Sequence, residues 1–262
     1  LSDADWGALP ETYNTAYQVC VKQIALRPDD RVLIRGGTSA LGMACAELAK
    51  DLGCHVVTTS RKPDKLELLQ SRSRADGFVL DGDDFAERVL GQFGPRTCVV
   101  ECVGAKATIE TSVATMPDGG RLGLVGQLSE SWDSDGKPNI PGNVTSGFAR
   151  SDLVNAEADS EWMADIVRKV EAKRLSPNIH QVFDFEDLAR AHFEILTREE
   201  LRETDRQVDR ICSRPDYISI SSSGPLGELL DAYFTEKGIE LHSRMITETY
   251  YSSAVMAQAG TG

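Results

Sequence analysis

The sequence predicts an α/β fold: a doubly wound parallel sheet carrying a small α/β appendage at its C-terminal end. Three observations carry this expectation. Short apolar runs ending in glycine alternate with segments of helical periodicity. The first of these runs enters a glycine turn and then a one-sided helix. A charge-rich stretch near residue 200 separates this pattern from a second, shorter one. With 262 residues, 41% of them hydrophobic, the chain holds enough core for one full domain and a small one.

The first strand, Val32 to Ile34, lies in Arg31-Val-Leu-Ile-Arg-Gly-Gly-Thr-Ser-Ala-Leu-Gly42. Apolar residues then recur at Leu41, Ala44, Cys45, Leu48, Ala49 and Leu52, the i, i+3, i+4, i+7 spacing of a one-sided helix, placed over Met43 to Leu52. Its N-terminus points at the turn, where unpaired N–H groups and the positive end of the helix dipole favour an anion, in a βαβ unit usually a dinucleotide pyrophosphate. Laid on G-x-G-x-x-G, the run Gly37-Thr38-Ser39-Ala40-Leu41-Gly42 keeps the first and third glycines and has Ser39 at the second. Serine is small enough for close backbone approach, and its hydroxyl is a further donor for a phosphate. A glycine turn between strand and helix also serves as a plain tight connection, so the residues that follow decide its weight.

Gly53 closes the helix and Cys54 to Ser60 form a second strand, completing strand, crossover helix and strand. A site reading the free 2′-hydroxyl of NAD places Asp or Glu at that strand's end. This chain has Ser60-Arg61-Lys62 there, with Lys65 one turn further on. A hydroxyl and a guanidinium bind a 2′-phosphate that a carboxylate would repel, so the residues point to NADP(H). The alternative is that Arg61 and Lys62 merely open a solvated helix.

Further strands are expected at Phe78 to Leu80, Thr97 to Val100 and Leu122 to Val125, with helices at Phe85 to Phe93 and Ala107 to Met116. Ser129 to Ser146, rich in Asp, Gly, Pro and Asn, reads as a long loop. Glu161 to Lys173 reads as an amphipathic helix, and residues 179 to 183 as a last strand.

Five ordered stretches carry a family resemblance: Ala8 to Tyr17, the Gly-Gly-Thr-Ser-Ala-Leu-Gly turn, Val99-Val-Glu-Cys-Val-Gly104, Gly119-Gly-Arg-Leu-Gly-Leu-Val-Gly126, and Val182 to His192. Residues 1 to 195 thereby resemble the coenzyme-binding, Rossmann-type half of the medium-chain dehydrogenase/reductase superfamily, in its zinc-independent quinone-oxidoreductase branch. The resemblance implies that the turn binds the pyrophosphate and that Ser60, Arg61 and Lys65 hold the 2′-phosphate. It further implies that Val103, Gly104, Val125 and Gly126 line the cofactor, that Thr15 approaches the nicotinamide, and that the chain dimerises through edge strands. In that family a barrel-like catalytic domain precedes this half and supplies most of the substrate pocket. This chain opens at Leu1, inside the expected junction and without an initiator methionine, so an excised domain or fragment is expected, with poor turnover by itself.

Composition narrows the classes. A net charge of −13 and a pI near 4.8 oppose a non-specific nucleic-acid surface. No apolar run approaches 18 residues and no signal peptide is visible, which fits a cytoplasmic protein with a small-molecule substrate and no membrane span. Six cysteines, at 20, 45, 54, 98, 102 and 212, show no C-x-x-C pair, so no zinc site is expected; Cys45, Cys98 and Cys102 read as core. His55, His180, His192 and His242 are scattered among different elements, and no catalytic side chain is assigned.

Residues 196 to 212 read as a charged helical linker. Beyond it, Tyr217 to Ser223 and Leu241 to Thr247 read as strands flanking a helix from Pro225 to Lys237. The stretches Arg214 to Glu240, Glu248-Thr-Tyr and Val255 to Gly262 make residues 213 to 262 resemble part of the effector-binding domain of LysR-type regulators. That resemblance implies Ser221, Ser222 and Ser223 as donors to a small anionic effector; an ordinary N-cap before Pro225 is the alternative. The sequence thus favours the coenzyme part of an NADP(H)-dependent oxidoreductase moving hydride to a quinone or α,β-unsaturated carbonyl. The alternatives are a non-catalytic NADP(H)- or effector-binding regulatory module and a truncated or artificial fusion.

Overall fold

The structure, a computed structural model, describes residues 1–126, 136–149, 160–179 and 181–183, and the backbone of 217–220 and 243–247. The chain divides into two compact units, Leu1–His180 and Gln181–Gly262. In the first, strands β1 (Arg31–Arg35), β2 (His55–Ser60), β3 (Gly77–Leu80), β4 (Cys98–Glu101), β5 (Arg121–Leu124) and β6 (Thr145–Phe148) form one sheet in the order β3-β2-β1-β4-β5-β6. Every pairing is parallel. This is the doubly wound topology the sequence predicts, with its switch point between β1 and β4.

Parallel strands need covering on both faces, and the period-2 alternation of side chains divides the core accordingly. Val32, Ile34, Val56, Cys98 and Val100 face one layer, with α2 (Pro10–Tyr17), α3 (Ala40–Asp51) and α7 (Ser160–Glu171). Leu33, Val57, Val99, Leu122 and Leu124 face the other, with α5 (Phe85–Phe93) and α6 (Lys106–Val113). Among the described residues the remaining helices of this unit are α1 (Asp3–Ala8) and α4 (Pro63–Arg72), and α2 runs on into a π-helical turn, Gln18–Gln23. Cys20, Cys45, Cys54, Cys98 and Cys102 are free and buried, in keeping with the core role expected of Cys45, Cys98 and Cys102.

At the amino edge of the sheet, Arg121 joins elements distant in sequence. Its guanidinium pairs with the Asp30 carboxylate at 2.6 Å and donates to the carbonyls of Ile24 and Ala25. Although burial opposes it, bonds from the Arg27 N–H, Arg121 and Thr97 hold the Asp30 carboxyl below the usual aspartate range.

Two expectations need correction. Thr145 and Ser146, expected to end the loop Ser129 to Ser146, open the sixth strand, which runs to Phe148. It was hidden because an edge strand is specified by backbone pairing to β5 and carries little apolar pattern, its burial being mostly exposed or intermediate. Conversely, the described part of 179 to 183 forms no strand. Helix starts also shift: α3 begins at Ala40 rather than Met43, because Ser39 caps it.

In the second unit, β7 (Tyr217–Ile220) and β8 (Ser243–Thr247) pair in parallel, coinciding with the two expected strands. The expected linker 196 to 212, the helix from Pro225 to Lys237 and the expected boundary at 195 lie outside the described residues. Among the described residues no helix is long and apolar enough to cross a membrane.

Leu122 is fully buried at the centre of the second layer. Leu122→Ala is expected to cost about 2–5 kcal/mol of stability from lost burial and the cavity left behind, read as a lowered denaturation midpoint in urea. As pH falls through the lowered pKa of Asp30, the stability contributed by that carboxylate, present above the ordinary aspartate pKa of about 3.9, is lost. Arg121→Gln should therefore move the acid-unfolding midpoint, followed by circular dichroism, to higher pH.

Candidate functional site

The carboxyl ends of β1, β2, β4 and β5 converge on the Gly36–Gly42 turn. Gly36 has φ +79°, left-handed backbone suited to glycine. A Cβ on Gly37 would run into the Thr58 hydroxyl, and one on Gly42 would meet the Gly36 carbonyl at 2.5 Å. The missing side chains therefore let the first turn of α3 close on the end of β1. Ser39 caps that helix: its Oγ accepts from the Gly42 N–H (3.0 Å) and donates to the Gly36 carbonyl (2.9 Å). The hydroxyl that sequence reading offered to a phosphate is engaged within the turn. Thr38, Ala40 and Leu41 occupy the turn and the start of the helix.

Strand β2 is tied to the same turn. The Gly36 N–H donates to Thr59 Oγ1 and the Gly37 N–H to the Thr59 carbonyl, both at 3.1 Å. One residue on, buried Ser60 accepts from the Lys62 N–H and donates to the Lys62 carbonyl. Arg61 follows, exposed, and Lys62 leads into α4. Burial, with the charges of Lys62 and Arg61 beside it, pushes the Lys65 ammonium below the ordinary lysine value against the pull of Asp64. Three cations are thus grouped at the end of β2, an electropositive corner in a chain of net charge −13.

Strands β4 and β5 bring Val103, Gly104, Val125 and Gly126 to the same edge. A Cβ on Gly36 would stand 3.1 Å from Val103 Cγ2, and one on Gly126 would overlap the Cys102 carbonyl. Thr15 sits on α2, donating its hydroxyl to the Glu11 carbonyl (3.0 Å). Ser221, Ser222 and Ser223 lie outside the described residues.

Three charged residues beneath this edge were not singled out from sequence. Arg35, on the last position of β1, is buried and pairs through Nε with Asp81 at 2.9 Å. It donates to Thr111 Oγ1 and Ser112 Oγ and lies 3.7 Å from the centre of the Phe85 ring. Burial pushes the Asp81 carboxyl up, partly offset by Arg35. Asp81 also donates its N–H to the Ser60 carbonyl (2.8 Å), next to Arg61. Glu101 ends β4 and accepts the N–H groups of Val103 (2.7 Å) and Gly104 (3.3 Å), fixing that loop; burial raises its carboxyl above the ordinary range. The available signal was a charged residue ending an otherwise apolar strand, at 35 and again at 101.

Such a sheet, with a glycine turn at its switch point, defines a dinucleotide-binding domain of the Rossmann type. It resembles the coenzyme-binding half of the medium-chain dehydrogenase/reductase superfamily, and the model of the family described as zinc-binding dehydrogenase matches residues 40–147. A zinc-type alcohol dehydrogenase-like protein of Schizosaccharomyces pombe is 27% identical over 189 residues, 70% of this chain and 53% of that protein. The quinone oxidoreductase of Thermus thermophilus, solved also with NADPH, is 26% identical with a TM-score of 0.62, covering 76% of this chain and 64% of that one. An NAD-dependent alcohol dehydrogenase is 25% identical, also at TM-score 0.62, over 76% and 57% of the two chains. The chain thus spans about half the length of the curated relative it matches. The family description names zinc, but among the described residues no three His, Cys, Asp or Glu side chains are grouped to hold an ion.

Asp81→Ala leaves Arg35 as an unpaired buried cation, which is expected to cost about 3–5 kcal/mol in chemical denaturation. The raised pKa of Glu101 means that its stabilising contribution, complete below the ordinary glutamate value of about 4.3, is lost as pH rises through the raised value. Glu101→Gln is expected to flatten that part of the stability-against-pH curve.

Proposed function

We propose that residues 1 to 195 are an NADP(H)-binding domain whose cofactor serves hydride transfer to a quinone or an α,β-unsaturated carbonyl. The pyrophosphate lies over the turn Gly37–Gly42, at the N-terminus of α3. Ser60, Arg61 and Lys65 hold the 2′-phosphate, while Val103, Gly104, Val125 and Gly126 line the dinucleotide and Thr15 stands toward the nicotinamide. When bound, the coenzyme supplies the hydride. The protein's part is to bind and orient it, with the cations screening the phosphates and the glycines giving the backbone close approach.

The observation that carries this reading is the grouping of Arg61, Lys62 and Lys65 at the end of β2, where a carboxylate would serve NAD. Fold cannot make the choice, since an NADPH-bound relative and an NAD-dependent one are equally similar in TM-score. The only carboxylate described near that strand end by a direct backbone bond, Asp81, is paired to Arg35. The acceptor class rests on the family resemblance and on the likeness to a quinone oxidoreductase.

Calorimetric titration with NADPH and NADH tests the reading. NADPH should bind the more tightly, and Arg61→Ala should weaken NADPH roughly 10- to 100-fold, the worth of a charge-assisted hydrogen bond of about 1.5–3 kcal/mol, while leaving NADH nearly unchanged. Equal affinity for the two nucleotides, or an unaltered preference in the variant, would sink it.

A further inference from the structure

Helix α3 presents a second face away from the sheet. Met43, Ala44 and Glu47, with Ala40 one turn earlier, form an i, i+3, i+4, i+7 stripe that walls a cavity of about 310 Å³ shared with Thr12 and Tyr13 of α2 and with Ser176 and Asn178. The volume is at the lower end of the range typical of small-molecule sites. Of the residues assigned above to the coenzyme, only Ala40 lines it.

Glu47 is the unusual wall. It is only 8% exposed, in the middle of a helix. Its Oε2 takes both hydrogen bonds the side chain makes, from the Tyr13 hydroxyl (2.6 Å) and the Ser176 N–H (3.0 Å). Those two bonds hold the carboxylate at the wall of the cavity, and among the described residues no hydrogen bond engages Oε1. Among the described residues no Lys, Arg or His forms an ion pair with it. Arg72 lines the cavity too, but is exposed, where water screens its charge. Burial pushes the Glu47 carboxyl up, against the two hydrogen bonds and the more distant Arg74. A buried carboxylate held by neutral donors lacks the counter-charge that buried ions ordinarily have.

We propose that this cavity is a binding site for a small primary ammonium compound, whose N–H groups donate to Glu47 Oε1 while its aliphatic part packs on Met43 and Ala44. The site is separate from the proposed coenzyme function and needs no nucleotide. Tyr13 and Ser176 act as positioning residues that hold the carboxylate in one orientation. An anionic ligand is disfavoured by Glu47, and a neutral alcohol offers one donor without the charge.

The test is an NMR titration of the full chain with n-butylammonium, using n-butanol and butyrate as neutral and anionic counterparts. Saturable shifts in the Tyr13, Glu47 and Ser176 amides are expected with butylammonium, at least tenfold weaker binding with butanol, and none with butyrate. Glu47→Gln should weaken butylammonium binding at least tenfold. Thr12→Trp, which obstructs the cavity while keeping Glu47 in the chain, should abolish it, so a poorly folded Glu47 variant leaves the test intact. Butanol binding as well as butylammonium, undiminished affinity in either folded variant, or no saturable shift at millimolar ligand would overturn the proposal. NADPH titration of the same samples distinguishes this failure from failure of the coenzyme reading.

Discussion

The architecture depends on how closely a helix can approach the end of a strand. The Gly36 carbonyl sits where the first turn of α3 must pass, and the Cβ atoms missing at Gly37 and Gly42 make room for that passage. Ser39 then fastens the contact from both sides, accepting from the helix and donating to the carbonyl. From this one close approach follow the direction of α3 and the packing of its inner stripe in the layer that holds Val32 and Ile34. A side chain larger than hydrogen at Gly42 would push against backbone, which cannot turn aside as a flexible side chain can.

The carboxyl edge of the sheet is also where the protein buries its charges. Arg35, Asp81 and Glu101 each end or follow a strand: Arg35 pairs with Asp81 and donates to Ser112, both distant in sequence, and Glu101 accepts the Val103 and Gly104 amides. Buried charge is a costly means of holding loops in place. It gives directional bonds where apolar packing would only give contact, and the loops so held are those that face the crevice. The amino edge uses the same device for a different end, with Arg121 binding Asp30 and two carbonyls to close the connection into β1.

Much of the fold was legible because a parallel sheet writes itself in repeating units. The run Val32 to Ile34 is apolar throughout, being covered on both faces, and the intervening helices show their inward stripe. Thr145 to Phe148 escaped because the edge of a sheet requires little of its side chains. Of the candidate site, sequence conveyed the glycine turn and the cations that follow β2, both of which the structure brings to the carboxyl edge of the sheet. What sequence could not convey was pairing across space: nothing local links Arg35 to Asp81 or Glu47 to Tyr13, residues 46 and 34 positions apart. Ser39 shows a subtler limit. Its hydroxyl was read as a phosphate donor, whereas the N-cap rule already gave it a nearer partner in the Gly42 N–H.

Thr59 binds the first two glycine amides through two different atoms, its hydroxyl and its carbonyl, and the next residue begins the cationic corner. On the proposed coenzyme reading, the turn assigned to the phosphates and the corner assigned to nucleotide choice are therefore joined by a single residue, and neither is a detachable module. An engineer wishing to exchange the nucleotide preference cannot transplant residues 60 to 65 alone, since a shift in the end of β2 is transmitted to the turn through these two bonds.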